Sequence, residues 1–150
     1  MTETPSQLPP PAYRNPSDDE RLNGLRTLTH ILYALYAVHW LTGGITSLVA
    51  LIIDYVKRDD VAGTPYADHV EWQIRTFWRT LIGYVVGIAL MYAAGLTFTF
   101  APALSIGYPI VFAGVGFPLL GATCVWALYR IIKGWLFLND NKTLDPQAWF

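Results

Sequence analysis

The chain has one cysteine, Cys124, so it can close no disulfide within itself and has no thiol cluster to hold a metal. It also lacks a charge bias. Ten Lys and Arg stand against eleven Asp and Glu, a formal net charge of −1, which gives no global attraction to nucleic acid, and no nucleic-acid partner is expected. Near Met1 there is no basic stretch leading into a short apolar core, so no cleavable leader is expected. No Ser-His-Asp arrangement, Gly-rich phosphate loop, His-Glu-x-x-His motif or pair of intramembrane carboxylates is present. These gaps point to a non-enzymatic protein with no cofactor and no metal.

The most informative deficit is local. Charged residues are missing from the whole of Thr27–Ile53 and again from Thr80–Tyr129. A bilayer core of about 30 Å requires roughly 20 mostly apolar residues in a helix, because peptide groups there must pair among themselves. The first run suffices for one tilted span. The second suffices for two, about Phe77–Thr97 and Pro109–Lys133, with the linker at Phe98–Tyr108, where Pro102, Ser105 and Gly107 supply turn chemistry. The expected fold is therefore all-α, an integral membrane protein of three transmembrane helices. Pro118 should release the carbonyl of Gly114 and bend the third span.

Three regions follow: a Pro-rich disordered tail over 1–16, a helical membrane domain over 17–142, and a short tail over 143–150. The first tail holds Pro10-Pro11-Ala12-Tyr13, a pattern bound by aromatic-grooved domains. Ser17, followed by Asp18, Asp19 and Glu20, is expected to cap a helix. After Ile53, the block Asp54–Asp60 should return the chain to water. In Asp68–Arg79, Glu71, Arg75 and Arg79 share one helical face, while Val70, Ile74, Phe77, Trp78 and Leu81 gather on the other. This pattern suits either an interfacial amphipathic helix before the second span or the wetted first turns of that span. His69 is expected to be exposed there.

Three spans and the distribution of Lys and Arg place the C-terminus in the cytoplasm and the N-terminal tail outside. An alternative stays open: Gly43-Gly44 can fold the first segment into a re-entrant hairpin, which brings both termini to the cytoplasmic side. His39 is the candidate intramembrane polar site, since ionisable groups at that depth are costly. His30 lies nine residues earlier, on the opposite side of a regular helix. Gly43 with Ser47, and Gly83 with Gly87, form small-residue faces suited to close helix packing or homo-oligomerisation. Trp72, Arg75, Trp78, Arg79, Arg130, Lys133 and Trp135 are the candidate interfacial and lipid-contact residues.

The strings THILYALYAVHWLTGGITSLVALIIDYVKRDDVAGT, DHVEWQIRTFWRTLIGYVVG and YRIIKGWLFLNDNK resemble a family of uncharacterised small bacterial inner-membrane proteins. That family is itself similar, at a distance, to the small channel-like subunit of the chloroplast inner-envelope translocon. The resemblance spans about Thr27–Lys142 and implies a helical inner-membrane domain with no catalytic residues to transfer. The resulting expectation is an accessory or scaffold protein that binds a membrane partner or organises lipids. The competing expectation is a component of an oligomeric channel or transporter.

Overall fold

The computed structural model describes residues 15–100 and 108–150. Among them the chain is helical, in the order α1 (Pro16–Ala37), a short 3-10 turn (His39–Thr42), α2 (Ile45–Lys57), α3 (Tyr66–Phe100) and α4 (Tyr108–Asn139). Two of these helices are long and apolar enough to cross a membrane: α3 over Tyr66–Ala93 and α4 over Gly114–Asn139. The Pro-Pro-x-Tyr sequence and most of the α3–α4 linker lie outside the described residues.

The expected single helix over Thr27–Ile53 is instead a helical hairpin. The uncharged part of α1, Thr27–Ala37, rises roughly 16 Å, and Ile45–Ile53 of α2 roughly 13 Å, each about half of what a bilayer core demands. The break is set by Gly43 (φ +60°) and Gly44 (φ +95°), left-handed conformations that a Cβ disfavours. Around them the Gly44 N–H donates to the His39 carbonyl at 2.8 Å, and the Ser47 hydroxyl donates to the Gly44 carbonyl at 2.7 Å. These bonds satisfy helix-end groups that would otherwise face hydrocarbon.

Side chains then tie the two legs together. The Tyr36 hydroxyl donates to Asp54 Oδ2 at 2.8 Å, and Arg21 Nη2 donates to the Asp60 carbonyl at 2.9 Å. Asp54 is thus fully buried rather than an exit to water. Leu25 and Leu51 pack with Val61, Val70 and Ile74, which fixes the hairpin against the first turns of α3.

The start of α1 is capped by Asn15, whose side chain accepts from the Ser17 N–H, with Pro16 at the first helical position. Ser17 is therefore not the cap. The amphipathic stretch Asp68–Arg79 is no separate interfacial helix: it forms the first turns of the 35-residue α3. Pro118 lies within α4.

The molecule has two storeys. At the charged end, α1, α2, the start of α3 and the end of α4 form a four-helix base around Leu32, Tyr33, Tyr36, Ala50, Trp72, Ile131 and Leu138. Leu144 joins this core, so segment 143–150 is docked at its start and is no loose tail. Beyond the hairpin tip, α3 and α4 pack on each other through glycine. A Cβ on Gly83 would lie 2.5 Å from Thr123 Oγ1, one on Gly87 2.5 Å from Leu120 Cδ2, and one on Gly116 2.9 Å from Met91 Cγ. The outer faces of this storey, including Val85, Ile88, Tyr92, Phe117 and Val125, are exposed and apolar.

Three contacts bring the beginning of α1, the α2–α3 loop and the end of α4 to one end. Besides the Arg21 bond, Arg26 Nη2 reaches the Asn139 carbonyl at 3.5 Å, and His69 Nε2 reaches that of Lys142 at 3.0 Å. Every Lys and Arg among the described residues is consequently carried by the four-helix base or by the segments that leave it.

Candidate functional site

Between the hairpin and α3–α4 lies a cleft of about 400 Å³. Its walls come from the hairpin tip (His39, Trp40, Gly43, Gly44), from α2 (Ser47, Leu48), from α3 (Thr76 to Tyr84) and from Ala127 and Ile131 of α4. The cleft is mostly apolar, with a few polar groups, the usual make-up of a small-molecule site. Its rim is closed on one side by Trp40 Nε1, which donates to the Tyr84 hydroxyl at 3.2 Å. Leu48 and Leu81 on its walls are also exposed on the outer surface, which makes the opening lateral.

His39 is in this wall, at the hairpin tip rather than in mid-helix. Its Nδ1–H donates to the Tyr36 carbonyl, and its ring lies against Trp40 with centroids 4.2 Å apart. That bond requires a hydrogen on Nδ1 and orients the ring in the cleft wall. Gly43 and Ser47 do not form the expected helix-packing face. Gly43 is the turn residue, and Ser47 is buried in the cleft wall.

The foot of the cleft is polar. Tyr36, Thr76 and Ile131 also line a much smaller cavity with Tyr33, Trp72 and Gln73. Among the described residues, neither amide atom of buried Gln73 has a hydrogen-bond partner, and the same holds for Thr80 Oγ1 and Asp54 Oδ1. An unpaired buried polar atom costs about 1–3 kcal/mol, so the foot of the cleft is where an ordered water or a ligand's polar group would be most favourable. Asp54 lies outside the two long helices, and burial pushes its carboxyl up to about 8, against the opposing effect of the Tyr36 hydrogen bond. Sequence reasoning missed Tyr36, Asp54, Gln73 and Thr80. The one usable signal was an acid directly after an uncharged run, which equally suits an exit to water.

The predicted interfacial residues divide. Trp78 and Trp135 are partly exposed, donating to the Tyr55 hydroxyl and to His30 Nδ1, each at 3.0 Å. Arg75 pairs with Glu71 at 3.0 Å on the surface. Trp72 and Arg130 are core residues instead, 1% and 0% exposed. The Arg130 guanidinium stacks 3.4 Å from the centre of the Trp72 ring, and Arg130 Nε donates to Thr76 Oγ1 at 2.8 Å. Lys133 is half-buried, its ammonium 5.6 Å from the Phe137 ring centre. Arg79 lies under the segment that follows α4 and donates to the carbonyls of Ala148 and Gln147. His69, expected on the surface, is 2% exposed, with the Tyr33 hydroxyl donating to Nδ1 and Nε2–H donating to Lys142.

Gly83 and Gly87 are brought together on the α3 face that meets α4, where they serve packing within the chain. Among the described residues, no group of three or more His, Cys, Asp or Glu could hold a metal ion. Comparison with family models, curated proteins and solved structures finds no match to this chain.

Proposed function

We propose that this chain is a non-enzymatic accessory protein of a bacterial inner membrane that holds a membrane lipid between its re-entrant hairpin and its two spanning helices. The lateral apolar cleft carries this reading. Its cavity lies in the size range of ligand sites, its walls are apolar, and its opening faces the surface that hydrocarbon would cover. The two long apolar helices support insertion in a membrane. Gathering of the Lys and Arg at one end supports a cytoplasmic placement of that end, with α1 beginning and α4 ending on the same side. The resemblance to small inner-membrane proteins agrees with this setting. The competing reading, an oligomeric channel, draws less support, because Gly83 and Gly87 are spent on α4.

The test is lipid retention. Protein purified in mild detergent and examined by native mass spectrometry should keep a tightly held lipid. Ser47→Phe, which fills the cleft, should lose it, whereas Ile88→Phe on the outer face of α3 should not. Equal retention by the wild type and a folded Ser47→Phe protein would refute the proposal.

A further inference from the structure

A second site, separate from the cleft, lies across the α3–α4 groove. Arg79 Nη1 and Arg130 Nη1 both donate to one acceptor, the Ala148 carbonyl, and Arg79 Nη2 takes the Gln147 carbonyl at 3.2 Å. Arg130 Nη2 is buried and has no hydrogen-bond partner among the described residues. Among the described residues neither guanidinium has a carboxylate within ion-pair distance; Glu71, earlier on α3, is paired with Arg58 and Arg75. Two cations therefore converge on a single neutral oxygen, and one of them is fully buried.

Such an arrangement is better satisfied by an anion. A guanidinium presents a planar fork matched to phosphate oxygens, and charge-assisted bonds are about twice as strong as neutral ones. The aromatic rings complete a frame for this purpose. Trp72 fixes the Arg130 plane, Trp149 lies 4.3 Å from the Arg79 guanidinium, and Trp126 Nε1 holds the Trp149 carbonyl at 3.0 Å. Position along the helices points the same way. Arg79 is the last charge before the uncharged run of α3, and Arg130 is the first charge after that of α4. Both thus stand where hydrocarbon would give way to headgroups.

We propose that Arg79 and Arg130 form a binding site for a phosphate-type anion, and that the strap Gln147–Trp149 occupies this site in the present structure, with the Ala148 carbonyl standing where an anionic oxygen binds. Ligand entry swings the strap aside and gives Arg130 Nη2 the acceptor it lacks. The anion chemistry is shared by a phospholipid headgroup and by free phosphate.

The full chain in a neutral detergent, titrated with short-chain phosphatidylglycerol, phosphate-free short-chain diacylglycerol or inorganic phosphate, tests this. Saturable binding of phosphatidylglycerol, weakened at least tenfold in Arg79→Gln and unchanged in Arg58→Gln, is the expected result. Hydrogen exchange at the amides of residues 147–149 should rise on binding. Competition by millimolar phosphate would assign recognition to the bare anion, and its failure to the lipid headgroup; either outcome supports the site. Equal binding of phosphatidylglycerol and of the phosphate-free diacylglycerol would overturn the proposal. So would equal losses in Arg79→Gln and Arg58→Gln, or binding with no change in strap exchange. Arg79 is partly exposed, so its variant keeps the fold even if an Arg130 variant does not. Lipid retention by the cleft should survive Arg79→Gln, which separates this proposal from the preceding one.

Discussion

Replacing Gly83 by alanine places one methyl carbon 2.5 Å from Thr123 Oγ1 and 2.7 Å from Thr123 Cγ2, both far inside van der Waals contact. Either the Thr123 side chain or the α3–α4 separation must give, and overpacking of this kind costs about 1–3 kcal/mol. Alanine also stiffens a helix relative to glycine by roughly 0.5–1 kcal/mol, which would mask part of the cost. Gly95→Ala is the reference that cancels this gain, because no atom lies within 4 Å of a Cβ there. Gly83→Ala should therefore be about 1–3 kcal/mol less stable than Gly95→Ala in a reversible detergent unfolding titration. Thr123→Ala removes both of the closest atoms and should recover most of the loss in the double variant, a positive coupling. Equal stability of the two glycine variants, or no rescue by Thr123→Ala, would refute the close α3–α4 contact. Loss of a dimer with unchanged monomer stability would return Gly83 to an intermolecular role.

Further outcomes follow from other parts of the structure. Gly44→Ala forces a Cβ into φ +95° and should cost about 1–2 kcal/mol in the same titration, although the space around it is open. Gln73→Met exchanges an unpaired buried amide for an apolar chain and should be neutral or stabilising by about 1–3 kcal/mol in lipid-free protein, so a clear loss would show that the amide has a partner. Asp54 binds a proton more tightly folded than unfolded, so stability should fall as pH rises from about 4 toward 8 and level off above. Asp54→Asn should flatten that slope, and an unchanged slope would remove Asp54 as its source. Gly134→Ala should disturb the Tyr33–His69 hydrogen bond, since the new methyl would collide with the Tyr33 hydroxyl, and a wild-type melting temperature would argue against that packing.

How much of this was legible in the residues depended on whether a pattern has one physical solution. The uncharged runs of α3 and α4 have one, and both long helices appear where composition demands them. Thr27–Ile53 has two solutions, because its length fits a tilted span while its paired glycines also permit a hairpin. The choice rests on distant partners: Asp54 for Tyr36 and Asp60 for Arg21. In Asp68–Arg79 the amphipathic pattern located the buried Val70 and Ile74, whereas Trp78 and Leu81 of the same expected face are exposed and Gln73 and Thr76 are buried. It could not reveal that segment 143–150 would fold back over the polar face and cover Arg79, nor that Trp72 would be buried under Arg130. Burial of His69 escaped notice for the same reason, its partners lying 36 and 73 residues away.

The hairpin is decided most directly by sidedness. In a Cys124→Ser background, single cysteines at exposed Ser17 and Asp140 can be challenged with a membrane-impermeant thiol reagent in intact cells and in inverted vesicles. A re-entrant hairpin predicts that both are protected in intact cells and both labelled in inverted vesicles. Labelling of the two positions from opposite sides would mean that Thr27–Ile53 crosses the bilayer, and would contradict the fold described.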